Sequence, residues 1–274
     1  MLRTAMNNLT DALHIPDTQS ARDHRHLAIQ RVGVKDLRYP LTLRVADAVQ
    51  ATHAIWSLDV ALPAEKKGTH MSRFVAWLDE LQTSAAVLDA PTLRARHLEM
   101  LARLGAEEGR TEAAFSFFLR KRAPVSGLAS LLDYRGRWIA ETRAGVSTVW
   151  CEVGVPVKSL CPCSKEISDY GAHNQRALVT IRVELLQALE RPLEWHELVR
   201  FAEDEASSEI WPMLKRPDEK WVTERAYENP KFVEDLVRDV ALRLARDARV
   251  GRYVVDVENI ESIHNHSAYA RIER

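Results

Sequence analysis

The chain is poor in cysteine, with only Cys151, Cys161 and Cys163 in 274 residues, all inside one short stretch. An odd, clustered set with no export signal excludes a disulfide framework. A ring closed between Cys161 and Cys163 is excluded by disulfide geometry. No C-x2-C pair occurs, which argues against a zinc ribbon or finger. Long hydrophobic runs are missing as well, and none approaches the roughly 20 residues of a membrane span. The opening segment MLRTAMNNLTDALHIPD is polar from Asn7 onward and has no signal-peptide core. We therefore expect a cytoplasmic protein with no membrane partner. Charge of one sign is lacking: 38 basic against 39 acidic side chains leave a net charge of −1, which excludes a basic nucleic-acid arm. The phosphate-loop and nucleophile-elbow motifs are absent. HELVR has arginine at position 200 where a zinc protease needs its second histidine, and Pro162-Cys163 lies on the wrong side of any deaminase-like H-x-E.

What remains is an ordinary globular composition, 46% hydrophobic and 28% charged. Residues 1–24 read as an irregular tail. Period-2 alternation then predicts strands over roughly 25–34 and 40–62, followed by helices over 71–82 and 91–108. Strands are expected again at 113–125 and from Tyr134 to about Thr148. The second half repeats the order: strands at 149–158 and 176–187, a helix at 193–209, and a Pro-punctuated loop. A helix follows with Asn229 as N-cap and Pro230 at its first position. Strands at RYVVDVEN and from Ile260 to Ile272 complete it. Each half reads strand, strand, helix, helix, strand, strand, an α+β module with helices on one face of an antiparallel sheet. The expected modules are 25–147 and 148–274. Unpaired sheet edges then call for closure by neighbouring subunits.

The densest chemistry lies in SLCPCSKEISDYGAHNQRA, residues 159–177. Thiolate sulfur at Cys161 and imidazole nitrogen at His173 both suit Zn²⁺ and related ions. Taken alone, the pair reads equally as a small buried cysteine and a hydrogen-bonded core histidine. SSEIW places Glu209 at a helix end, WVTERAY places Glu224 in a loop, and ESIHNHSAYA carries Glu261, His264 and His266 on the last strand. On a regular strand His264 and His266 share a side; the bland alternative is a solvated edge strand.

These residues resemble a known family. SLCPCSKEISDYGAHNQR, MLKRPDEKWVTERAYENPKFVEDLVRDVA, ESIHNHSAYA and, at 68–74, GTHMSRF are similar to the corresponding segments of the prokaryotic type IB GTP cyclohydrolases I. The likeness runs from about residue 28 to the C-terminus. It implies tandem tunnelling-fold (T-fold) modules that close into barrels by oligomerisation, as a homotetramer. It implies conversion of GTP and water to 7,8-dihydroneopterin triphosphate and formate, the first step towards tetrahydrofolate. By resemblance, Cys161, His173, Glu209 and His264 would hold one divalent metal per site (Zn, Mn or Fe), with His266 a further possible ligand. Cys161, His173 and Glu224 would be catalytic, Glu224 as acid/base, and Glu261 would anchor guanine. Such an ion lowers the pKa of water from about 16 to about 7. Lys67, His70, Arg73, Lys165 and Arg176 are the candidates for the triphosphate, together with Lys66. Two other readings stay open: a T-fold enzyme with a cysteine nucleophile acting on a pterin or deazapurine, and a non-catalytic metal-binding protein.

Overall fold

The computed structural model describes residues 17–46, 48–84, 87–186 and 191–274. Eight strands form one antiparallel sheet in sequence order. They are β1 (Ile29–Val45), β2 (Ala48–Leu62), β3 (Gly109–Arg122), β4 (Ala129–Arg143), β5 (Val146–Leu160), β6 (Asn174–Leu185), β7 (Val250–Ile260) and β8 (Ser267–Glu273). The helices among the described residues are α1 (Met71–Thr83) and α2 (Ala90–Leu104) in the first half. The second half carries α3 (Pro162–Ile167), α4 (Trp195–Glu205), α5 (Arg216–Glu228) and α6 (Val233–Arg246). No helix among them is long and apolar enough to cross a membrane.

The alternating strands bury one phase against the helices. In β5 this phase is Val149, Cys151, Val153, Val155 and Val157; in β6 it is Ala177, Val179, Ile181 and Val183. The two halves share this core. Trp195 of α4 sits with ring centroids 4.9 Å from Trp138, 5.4 Å from Phe115 and 5.3 Å from Phe117. Each such aromatic pair adds about 0.5–1.5 kcal/mol beyond area burial, so a second-half helix is locked onto β3 and β4. The boundary expected at 147/148 falls just inside β5, after the hairpin Ala144-Gly145. Both hairpin residues have positive φ, 48° and 75°, as a two-residue primed turn requires.

Several expectations are corrected. The stretch 40–62 is two strands, which reverse at Val45↔Ala48; the alternation runs through ADAV with no Asn-Gly or Gly-Gly to mark a turn. The segments 134–148 and 149–158 are divided instead at Ala144. Among the described residues the second half has four helices where two were expected. Residues 216–228, read as a loop, form α5: Lys215 N–H donates to Asp218 Oδ2 at 2.8 Å, capping its first turn. Only Asp218 and Ala226 of this helix are buried, so it has no apolar stripe to announce it. Asn229 does not cap α6. Its Nδ2 donates to the Ala206 carbonyl, while Phe232 precedes α6 and its N–H donates to Asp235 Oδ2. Residues 262–266 precede β8 as bends and Glu261 lies just beyond β7, which takes Glu261, His264 and His266 off the strand.

Residues 17–24, read as tail, run along the 65–70 segment. Asp23 and Lys67 N–H groups donate to the Glu65 and Ala21 carbonyls, and Gln19 Nε2 donates to the Thr69 carbonyl. Residues 1–16 lie outside the described residues, as does Gln187 at the expected end of β6. In β1, a Cβ on Gly33 would fall 1.9 Å from the Leu58 carbonyl oxygen. Gly33→Ala is expected to destabilise the chain by about 1–3 kcal/mol, measured as a lowered urea midpoint with an unchanged m-value.

Candidate metal and nucleotide site

One end of the sheet departs from the apolar pattern. Along the helix-facing phase, β3 ends in Lys121, β5 ends in Ser159, β6 opens with Gln175 and β7 ends in Asn259, with Tyr134 inside β4; all five are buried. A buried polar layer is tolerated only where its groups find partners. Ser159 Oγ donates to the Lys231 carbonyl, and Ser207 Oγ accepts the Leu160 N–H. Asn259 Nδ2 approaches Ser159 Oγ at 3.4 Å.

Cys161 and His173 stand directly above this layer and are brought together. Leu160 pairs with Asn174, and the next residues continue the ladder, with Cys161 N–H donating to the His173 carbonyl at 3.2 Å. Cross-strand partners of this kind have Cβ atoms about 4.5–5.5 Å apart. Cys161 also caps α3, where Ser164 N–H donates to its sulfur at 3.4 Å. Pro162 sits in the first turn, where it costs no hydrogen bond. The remaining cysteines differ. Cys163 is exposed, whereas Cys151 is buried in β5 and its thiol is pushed well up by that burial.

The other expected ligands are near this end but not gathered. Glu209 follows α4 in an irregular segment tied to β5 by the Lys158–Ser208 bridge. Its carboxylate pairs with Lys121 Nζ at 2.6 Å. The same ammonium meets Glu203 Oε1 at 2.6 Å, which also accepts from Tyr134 OH at 2.8 Å. Together with Trp211 these groups line a cavity of about 750 Å³. His264 is exposed, with its ring centroid 5.1 Å from that of His266. The segment carrying them reaches the pair through Ser262 Oγ, 3.5 Å from His173 Nδ1. Among the described residues no three His, Cys, Asp or Glu side chains lie close enough to hold an ion.

Burial pushes the Glu203 carboxyl up, against the opposing pull of Lys121. Lys121→Met would leave the buried Glu203 with only the more distant Arg200, 3.7 Å away, and is expected to cost about 3 kcal/mol. With that opposing pull removed, the folded-state pKa of Glu203 would rise further above its unfolded value. The variant should keep most stability at low pH and lose it as pH rises through that folded-state pKa, as melting curves from pH 4 to 8 would show.

Glu224 lies on α5, exposed and paired with Lys220 at 2.5 Å. Helix α5 is held by Asp218, which accepts from Val125 N–H, Ser126 N–H and Ser126 Oγ–H at 2.7–2.8 Å. Glu261 is half-buried at the end of β7. Lys165 donates to the Tyr227 carbonyl and lies 4.3 Å from that ring's centroid. Arg176 is exposed on β6.

The first-half basic residues sit elsewhere. Lys66, His70 and Arg73 border a cavity of about 140 Å³ near the end of β2, and the neighbouring Lys67 is exposed. Lys66 Nζ donates to the Gly105 carbonyl, and His70 Nε2 lies 3.4 Å from Asp17. The ladder Val60↔Gly109↔Thr142↔Ser147 places this cavity at the opposite end of the sheet from Cys161. At about 3.3 Å per residue along β5, the two ends are on the order of 40 Å apart.

Sequence reasoning missed Lys121, Asp218 and Gln175. Lys121 and Gln175 carried a readable signal, since each puts a polar side chain in the buried phase of a strand. Asp218 carried none beyond its place three residues after Lys215.

By fold alone the chain is similar to urate oxidases. The uricase from Arthrobacter globiformis is 8% identical, with a TM-score of 0.50 over 89% of this chain and 93% of that one. A hyperthermostable urate oxidase mutant from Bacillus sp. TB-90 gives 0.51 over 90% and 99%. This defines a tunnelling-fold-like α+β architecture. At the level of sequence, the type I GTP cyclohydrolase FolE2 family description matches residues 15–270, and the chain belongs to that family. The match begins well before residue 28, where the motif resemblance starts. GTP cyclohydrolase FolE2 of Methylibium petroleiphilum is 67% identical, over 95% of this chain and 96% of that one. The Paraburkholderia xenovorans protein of the same name is 58% identical, over 98% of each.

Proposed function

We propose that this chain is a cytoplasmic, metal-dependent GTP cyclohydrolase that converts GTP and water to 7,8-dihydroneopterin triphosphate and formate, the first step towards tetrahydrofolate. The observation that carries the reading is the Cys161–His173 cross-strand pair at the polar end of the sheet, in a chain of this family. Sulfur and imidazole nitrogen suit Zn²⁺, Mn²⁺ or Fe²⁺, with availability deciding among them. Glu209 and His264 would complete the set, Glu209 after leaving Lys121, and His266 lies beside His264. When bound, the ion makes hydroxide available at neutral pH.

The chain's own residues supply the rest. A Glu261 carboxylate accepting two N–H bonds from guanine rejects adenine, which would leave it unpaired. Glu224 moves protons to the ring nitrogen and to the departing formate, a task that needs water excluded around it. In one chain Glu224 is exposed, and so are Ile167, Tyr170, Trp221 and Ile263. Large apolar groups left exposed fit cover by another protein surface. A second copy would provide it and would bring Lys66, Lys67, His70 and Arg73 to a triphosphate that also meets Lys165 and Arg176. We therefore propose a homotetramer with sites between subunits.

The test is incubation with GTP or ATP, followed by oxidation and dephosphorylation. Pterin fluorescence from GTP alone, lost to a chelator, is expected. Turnover that survives chelation and dies on thiol alkylation would favour a cysteine nucleophile. Metal retention with no GTP consumption would favour a non-catalytic protein.

A further inference from the structure

We propose that Gln175 is a positioning residue that fixes the tautomer and ring orientation of His173; this rests on the reading of His173 as a metal ligand. His173 and Gln175 are two apart at the start of β6 and project to one side. His173 Nδ1 lies 3.1 Å from Gln175 Oε1. A carbonyl oxygen only accepts, so this contact requires hydrogen on Nδ1 and leaves the Nε2 lone pair free for an ion.

The surroundings leave the imidazole little other choice. Its backbone is pinned on both sides, since His173 N–H donates to Ser164 Oγ and its carbonyl accepts from Cys161 N–H. Only the side-chain torsions remain to be set. Ser262 Oγ also faces Nδ1, but at 3.5 Å and from an exposed segment, and a hydroxyl can donate or accept. It therefore selects neither tautomer. Gln175 is 8% exposed, and its register partner Ser159 is already engaged with the Lys231 carbonyl and the Asn259 amide. The Gln175 carbonyl is thus a buried acceptor for which the His173 N–H is the partner. Leaving such a group unpaired is costly, so its own need for a donor enforces the tautomer.

Nitrogen-15 spectra of histidine in the full-length, metal-free chain test this without any variant: His173 should show hydrogen on Nδ1. In Gln175→Leu that preference should collapse towards a mixture, and Zn²⁺ affinity by chelator competition should fall about 10–100-fold. Gln175→Glu should retain both the tautomer and the affinity, a rescue that a packing role would not give. Wild-type hydrogen on Nε2, or a Leu variant that binds Zn²⁺ as tightly as wild type, would overturn the proposal. A chain that shows the expected tautomers and affinities yet releases no formate would uphold the role of Gln175 and remove only the cyclohydrolase reading.

Discussion

Cys161→Ala is expected to lose its metal and, with it, GTP turnover by about 10³-fold or more, while the fold survives. The sulfur gives up a single contact in the fold, the Ser164 N–H, a loss of about 1 kcal/mol. For an ion it is the one thiolate placed opposite an imidazole across the β5–β6 ladder. An ion typically supplies several kcal/mol of transition-state stabilisation, and each 1.36 kcal/mol is tenfold in rate. Cys163 cannot substitute, because it is exposed and already within α3. The check is metal content and formate release for the Ala variants at both positions. Cys163→Ala should match wild type, and an active Cys161→Ala would reject the assignment.

Asp218→Ala is expected to act on both stability and catalysis, although Asp218 touches no substrate. Its carboxylate accepts from Val125, Ser126 and Lys215, and so ties α5 to the β3–β4 connection. Burial alone would raise its pKa. The hydrogen bonds, from Ser126 foremost and then Lys215 and Val125, outweigh burial and hold the carboxyl well below the ordinary aspartate range. Its contribution to stability is therefore complete above the ordinary pKa of about 4 and fades as pH falls below it. Wild type should lose melting temperature more steeply than the variant on that acid limb. Freed from its anchor, α5 would carry Glu224 out of place, and a displacement near 1 Å can cost on the order of 10²-fold in rate. Parallel melting temperatures across the acid range for wild type and variant would contradict this account of the anchor.

Where alternation was strong, the strands were legible. RALVTIRVELLQ marks β6 to within two residues at either end, and ATHAIWSLDVAL lies in β2, whereas LTLRVADAV spans the end of β1 and the start of β2. What alternation could not reveal was a turn made without glycine between Val45 and Ala48. Amphipathic helices were equally plain: MSRFVAWLDELQ buries Phe74, Trp77, Leu78 and Leu81. Helix α5 stayed hidden because a helix exposed nearly all round has no stripe to read. At the candidate site, cross-strand register explains how Cys161 and His173, twelve positions apart, become neighbours, since α3 and Gly171 fill the reversal between them. Glu209 was not legible in its structural setting. Its partner Lys121 lies in the other half of the chain and meets it only because Trp195 fastens α4 onto β3 and β4. The polar ends of β3, β5, β6 and β7 could have been found in advance, as breaks of the buried phase at Lys121, Ser159, Gln175 and Asn259.

Cys161 and His173 would hold the divalent ion that opening of the guanine imidazole ring at C8 requires. The most direct measurement adds GTP labelled at C8 to the metal-free chain and supplies Zn²⁺, Mn²⁺ or Fe²⁺ in turn. One labelled formate per GTP consumed with at least one of these ions, and none without an ion, is the predicted result. Label retained in the nucleotide under every ion, in a chain shown to have bound it, would contradict the account.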